Sequence, residues 1–297
     1  MAKSGITVTS DITVRAREVD FVTRFDKNWK ALQDIMGIVR PIRKAAGTTL
    51  KSYKASMKGE LKGGNVGEGE DIPYTEFKVE PVAYSDVSVE KYAKATSIEA
   101  VAKYGAEVAV EKTDEAFINE LQNNVLGRFY TFLNTGSLVD AQPTFQMALA
   151  MAKANVLDKF QKMRRNVTEV VGFCNILDAY KYIGAANITT QTDFGLTYVK
   201  DFMGYKTLFL LSAPDIAEGT VIATPVENID LYYIDPSDSD FAKLGLDYTV
   251  TGETNLIGVH ANGNYGTAVG EMFALMGMAL WAEYLDGISV VTVDDSF

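Results

Sequence analysis

The sequence predicts an α+β chain, and three observations point there. Two alternating, strand-like runs flank a glycine-rich turn in the first hundred residues. One long segment with helical apolar spacing follows. Beyond residue 166, short strands mix with a helix in an order that lacks the regular βαβ repeat of a doubly wound sheet.

Residues 1–46 are of mixed character, with a helical patch in VDFVTRFDKNWKALQDIMG. Phe21, Phe25, Leu32 and Met36 recur there every three to four residues, with Trp29 between them, while Gly37 and Pro41 oppose continuation. This segment reads as an N-terminal arm carrying one amphipathic helix.

Residues 47–96 read as an extended β-hairpin loop. TTLKSYKASMKGEL runs out, YTEFKVEPVAYSDVSVEKYAKAT runs back, and KGGNVGEGEDIP forms a flexible tip between them. Between Lys54 and Lys78 the sizeable apolar residues are Met57, Leu61, Val66, Ile72, Tyr74 and Phe77, too few for a core. A lone two-stranded ribbon of this length is marginal in water. Its expected partner is a neighbouring subunit.

After a break at Gly105, TDEAFINELQNNVLGRFYTFLNTG is the clearest helix. Thr113 is its predicted N-cap, Asp114 and Glu115 suit the positive end of the dipole, and Gly136 its predicted stop. Ile118, Leu121, Val125, Phe129 and Phe132 make a stripe that Phe117, Leu126, Tyr130 and Leu133 widen, so the helix is a structural spine. A second helix is predicted over 144–162, with Met147, Met151 and Leu157 as core residues. Then VTEVVGFCN reads as a strand, ILDAYKYIG as a helix, YKTLFLLS as a buried strand and TVIATPVENIDLYYID as two strands. GEMFALMGMALWAEYLDGISVVTV reads as two or three strands that close the core.

At 297 residues and 47% hydrophobic, the chain has material for one large domain or two coupled subdomains. No run approaches a membrane span, and MAKSGITVTS carries no secretory pattern. One cysteine, Cys174, excludes an internal disulfide framework and suits a reducing cytoplasm. The net charge of −11 is unevenly spread, with 13 Lys/Arg against 6 Asp/Glu in residues 1–62 and 15 against 33 beyond. An acidic body argues against a dedicated nucleic-acid binder. The basic start suits acidic surfaces of sister subunits, phosphates or plain solvation.

The chemistry of an enzyme is not visible. His260 has no second histidine for a metal, Cys174 lacks a CxxC partner, and GGNVGEG lacks the Lys-Ser/Thr of a phosphate loop. No GxSxG, HExxH or EF-hand pattern occurs. The reading therefore expects no catalytic residue, cofactor or metal ligand, and no enzyme.

In the order of its segments the chain resembles the major capsid proteins of tailed bacteriophages, the Hong Kong 97-type fold. The arm and the extended loop at 47–96 match in place; AKYGAEVAVEKTDEAFINELQNNVLGRFYTFLNTG is similar to that family's spine helix. FCNILDAYKYIG and FMGYKTLFLLSAPDIAEGTVIATP are similar to its axial domain, and FALMGMALWAEYLDGISVVTV to the strands that return to the peripheral domain. The resemblance implies an arm over 1–46, the loop over 47–96, a peripheral domain over 97–168, an axial domain over 169–252 and return strands over 253–297.

It further implies hexamers and pentamers of an icosahedral virion shell, assembled in the host cytoplasm around double-stranded DNA held without sequence-specific binding. A separate scaffolding protein, a portal and no membrane complete the implied partners. Residues expected between subunits are Arg15, Arg17, Arg24, Lys54, Lys58, Lys62, Glu68, Glu70, Tyr74 and Phe77. Some family members crosslink a loop lysine to an asparagine; Lys54, Lys58 and Lys62 lie in the right loop, but no partner asparagine is matched. Encapsulin-type nanocompartment shells share this fold and are the alternative, with a tail or tube structural protein behind them.

Overall fold

The computed structural model describes residues 9–37, 41–45, 48–184, 190–193, 196–282 and 284–294. Helix α1 (Thr9–Met36) comes first. It extends the predicted patch by ten residues toward the N-terminus and buries Phe21, Val22, Phe25, Trp29, Leu32 and Met36. These join the main core with residues of the spine and the C-terminal strands. The helix within the expected arm is thus an integral core element. Each such side chain contributes roughly 1.5–3 kcal/mol of burial, enough to hold the helix on its own subunit.

Short β1 (Ile42–Lys44) leads into the hairpin strands β2 (Thr48–Lys58) and β3 (Glu76–Val87). The returning run then divides. β4 (Glu90–Ser97) leaves the ribbon and pairs with a strand near the C-terminus. The expected hairpin boundary at residue 96 is therefore corrected to 87, because the second half of the run finds its hydrogen-bond partner in another sheet.

The break expected at Gly105 is present, and a further helix precedes it. Ser97, extended at φ −78° and ψ 153°, caps α2 (Ile98–Ala106) by accepting from the Ala100 amide. Gly105 breaks the helix at φ 80° and ψ 161°, a conformation essentially confined to glycine. A π turn over Glu107–Glu111 follows and passes directly into α3 (Lys112–Leu133). Thr113 is consequently no N-cap: its hydroxyl donates back to the Ala109 carbonyl at 2.9 Å. Nor does Gly136 cap the end. Asn134 is the C-cap, and Gly136 is buried where a β-carbon would sit 2.7 Å from the Ile288 side chain.

The remaining elements are β5 (Leu138–Gln142), α4 (Phe145–Lys162), β6 (Val170–Asn175), α5 (Ile176–Ile183), β7 (Gln191–Asp193), β8 (Leu196–Phe202), β9 (Tyr205–Leu211) and β10 (Thr220–Pro225). Then come β11 (Ile229–Ile234), α6 (Ser239–Ala242), β12 (Ile257–Asn264), β13 (Val269–Met276), β14 (Met278–Ala282) and β15 (Ser289–Val293). Among the described residues the strands form a seven-stranded sheet ordered β5-β15-β10-β6-β9-β8-β7, two three-stranded sheets, β1-β11-β14 and β12-β13-β4, and the ribbon. The expected sequence segments do not map singly onto sheets. β5 from 97–168 and β15 from 253–297 complete the sheet built by 169–252.

That large sheet is the middle of three layers, and its period-two alternation supplies both cores. Phe173, Phe209 and Ile222 face the spine, where Phe173 stacks on Phe209 with centroids 5.1 Å apart. Cys174, Leu208, Leu210, Val221 and Ala223 face α4 and α5. The helix expected over 144–162 is present, and Thr144 caps it, accepting from the Met147 amide. The α4 core face is Leu149, Ala152, Val156 and Phe160; of the residues expected inside, Met147 and Leu157 are exposed and Met151 is half-buried. Burial and Asp178 raise the Cys174 thiol, which suits its role as a small core residue.

Candidate assembly interface

The ribbon's chemistry follows from its register. Tyr53 stands opposite Pro81, Ala55 opposite Val79 and Met57 opposite Phe77. The alternate pairs are Lys54 with Glu80, Ser56 with Lys78 and Lys58 with Glu76. Cross-strand partners share a face, so one face of the ribbon is apolar and the other charged. The charged face satisfies itself through Lys58–Glu76 at 3.1 Å and a Lys78–Glu80 ion pair. Among the described residues the apolar face is exposed: Tyr53 is 67% exposed, Phe77 61% and Val79 57%.

Eleven residues of β2 carry the tip about 35 Å from the body. At the tip Glu70 closes a turn, its amide donating to the Gly67 carbonyl and its carboxylate accepting from the Gly67 amide. Thr75 ties the two sides by accepting from the Lys62 amide at 3.0 Å. Leu61, Ile72 and Tyr74 all point into solvent, Tyr74 at 94% exposure. The base is held differently. Val87 is buried against Ile234, with Val89, Tyr232, Phe241 and Trp281 packed around them. The ribbon is thus anchored at its base, and its described side chains from Ala55 to Pro81 are mostly exposed.

The expected contact residues divide by place. Lys58, Lys62, Glu68, Glu70, Tyr74 and Phe77 lie together on the exposed ribbon. Lys54 lies on its charged face by register, and Arg15 lies in α1; their side chains are outside the described residues. Arg24 pairs with Asp20 one turn back along α1. Arg17 is committed inside the subunit, where two 2.8 Å bonds bind its guanidinium to Asp114.

Asp114 is the centre of a buried junction, since Lys94 also reaches it at 2.5 Å. The cluster joins α1, β4 and the start of α3 beside the π turn. Burial acts to raise the Asp114 carboxyl, but hydrogen bonds from Arg17 and Lys94 outweigh it and hold the group below the ordinary carboxylate range. Lys94 is lowered, first by burial. The two shifts disagree on whether pairing or burial governs; the fork of an always-charged guanidinium decides for pairing at Asp114. A second buried carboxylate, Glu18, accepts from the Ala261 amide at 2.6 Å and from Thr249, fixing α1 on β12. Sequence reasoning placed Asp114 only at the positive end of a helix dipole and missed Lys94 and Glu18, because each takes its meaning here from a partner distant in the chain.

Among the described residues no group of three or more His, Cys, Asp or Glu is placed to hold a metal ion. Among them, no helix is long and apolar enough to cross a membrane.

No protein-family model and no curated protein matches the chain. Solved structures do. A structure from Mycobacterium phage Patience aligns at TM-score 0.51 and 9% identity, over 100% of this chain and 95% of that one. The capsid structure of cyanophage P-SCSP1u aligns at 0.51 and 7% identity, covering 86% and 87%. The mature capsid of bacteriophage PhiM1 aligns at 0.50 and 6% identity, covering 86% of each chain. At such identities the likeness concerns the backbone path, and along that path this chain has the Hong Kong 97-type fold of phage capsid subunits.

Proposed function

We propose that the chain is the major capsid protein of a tailed phage, assembling through hexamers and pentamers into an icosahedral shell around double-stranded DNA. The observation that carries this is the ribbon: an exposed apolar face, too thin to bury itself, projecting from a fold that phage shells share. Extended elements of this kind suit closed lattices, because many modest contacts per subunit become strong together. Residues 97–168 then supply the peripheral part and 169–252 the axial part, with 253–297 threading back through both. The predominantly acidic body suits a wall that confines a genome without gripping it. A separate scaffolding protein and a portal are the further partners this reading calls for. The chain acts as structure, without a catalytic step.

Negative-stain microscopy with sedimentation of the purified chain, alone and with its neighbouring genes co-expressed, tests the reading. Uniform polyhedral particles are expected. A species of only a few subunits under all these conditions would sink it, and particles formed around an enzyme cargo would mark a nanocompartment instead.

A further inference from the structure

The hairpin tip has a charge, and the body offers it a counterpart. Over residues 59–75 the acidic residues Glu60, Glu68, Glu70 and Asp71 face one cation, Lys62. The opposite sign gathers where α4 ends: Lys159, Lys162, Arg164 and Arg165 fall within seven residues, and 159–168 contains no acid. Lys159 is matched by Asp286 and Lys162 by Asp158, while Arg165 stacks on Tyr284 with its carbon centre 4.6 Å from the ring and donates to that hydroxyl. Arg164 is exposed and makes no ion pair among the described residues.

The backbone at Arg164 gives a second, independent reason to look there. The end of α4 is a Schellman cap: the Arg165 amide donates to Phe160 and the Arg164 amide to Gln161, both at 2.9 Å. The motif places Arg164 at φ +54°, the left-handed position that glycine fills at lower cost. A long cation thus sits where the backbone disfavours it, and none of the described residues forms an ion pair with it. Asp201, Met203, Asn255 and Ala268 share this conformation, so it is the unpaired charge at Arg164, not the backbone alone, that singles the position out.

We propose that the acidic tip of one copy's hairpin, through Glu68 and Asp71, seats against Arg164 and Arg165 on the turn after α4 of a second copy. The proposal rests on the shell reading above and adds to it the place where the tip lands. A second copy is favoured over nucleic acid because two arginines on an acidic body make a small footprint for a phosphate backbone, whereas the tip supplies carboxylates at the end of a 35 Å reach (about that length, from eleven extended residues).

The test uses the full chain and sedimentation velocity across a concentration series at low and high salt. Arg164→Gly should raise the melting temperature by about 1–3 °C through relief of the cap, yet raise the concentration at which shells form by about tenfold or more. A merely structural arginine would not separate those two readouts. Arg164→Glu should weaken assembly further, and adding Glu68→Lys with Asp71→Lys should recover part of the loss. High salt should narrow the gap between wild type and Arg164→Gly. Wild-type shells with indifferent Arg164 variants, or a charge swap that recovers nothing, would overturn this proposal and leave the shell reading standing. Normal shells that lose bound DNA on Arg164→Gly would also overturn it, in favour of phosphate contact. Wild-type protein that forms no particle would remove the shell reading and this proposal together.

Discussion

Arg17 and Asp114, 97 positions apart in the chain, meet through two parallel 2.8 Å bonds that pin the first helix to the start of the spine. With Lys94 on the same carboxylate, one buried anion serves three elements. The junction sits where the π turn leaves the helix ladder least regular, and Lys94 also donates to the Thr113 hydroxyl and, at 3.4 Å, to the Val110 carbonyl there. Removing the anion alone strands both cations.

Asp114→Asn should therefore cost about 2–4 kcal/mol, less than the roughly 3–5 kcal/mol of a fully buried broken pair because Arg17 is one-quarter exposed. The pH dependence has a definite sign. Asp114 has its folded carboxyl depressed below the unfolded value, so its contribution is complete at neutral pH and is lost as pH falls through the folded value. Urea denaturation of both proteins should show the wild-type advantage at pH 7 shrinking steadily below about pH 4. An advantage unchanged down to pH 2 would show that Asp114 acts by packing alone.

Local periodicity made much of this fold legible. The α1 stripe from Phe21 to Met36 and the spine stripe from Ile118 to Leu133 are buried as their spacing predicts. Period alone fails where a helix has two apolar faces. On α4 it cannot rank Met147 and Leu157 against Leu149 and Val156, and the sheet beneath decides. Thr113 and Gly136 had the composition of helix ends, but Ser97 lies farther upstream with its own cap, and Gly136 answers to Ile288. The ribbon was legible as a hairpin from its alternation. That its apolar residues fall on one face emerges only with the register, and that its second strand stops at Val87 only with the pairing of β4 and β13.

Gly105 offers a clean measure of backbone cost within the spine. A β-carbon there would meet nothing within 4 Å, so Gly105→Ala adds no clash. Its φ of 80° with ψ of 161° is nonetheless closed to alanine without strain of about 1–3 kcal/mol. Thermal unfolding should register that loss, and circular dichroism should detect added helix if the variant escapes the strain by running α2 into α3. An unchanged melting temperature with unchanged helix content would contradict the assigned kink.

The ribbon separates folding from assembly, because the described apolar side chains along it are exposed and outside the subunit's core. Met57 and Phe77 form one cross-strand pair on that face, and both are exposed. The double substitution Met57→Ser and Phe77→Ser should leave subunit stability within about 0.5 kcal/mol, as for surface changes generally. If the face is buried against a neighbour at every contact in a shell, each subunit loses roughly 3–5 kcal/mol of apolar burial, repeated around the lattice. The expected result is a folded chain with an unaltered melting curve that sediments without particles. Deleting 59–71 should behave alike for the tip. A double variant that still closes into shells at wild-type concentrations would show that the uncovered face of this hairpin is not what joins one subunit to the next.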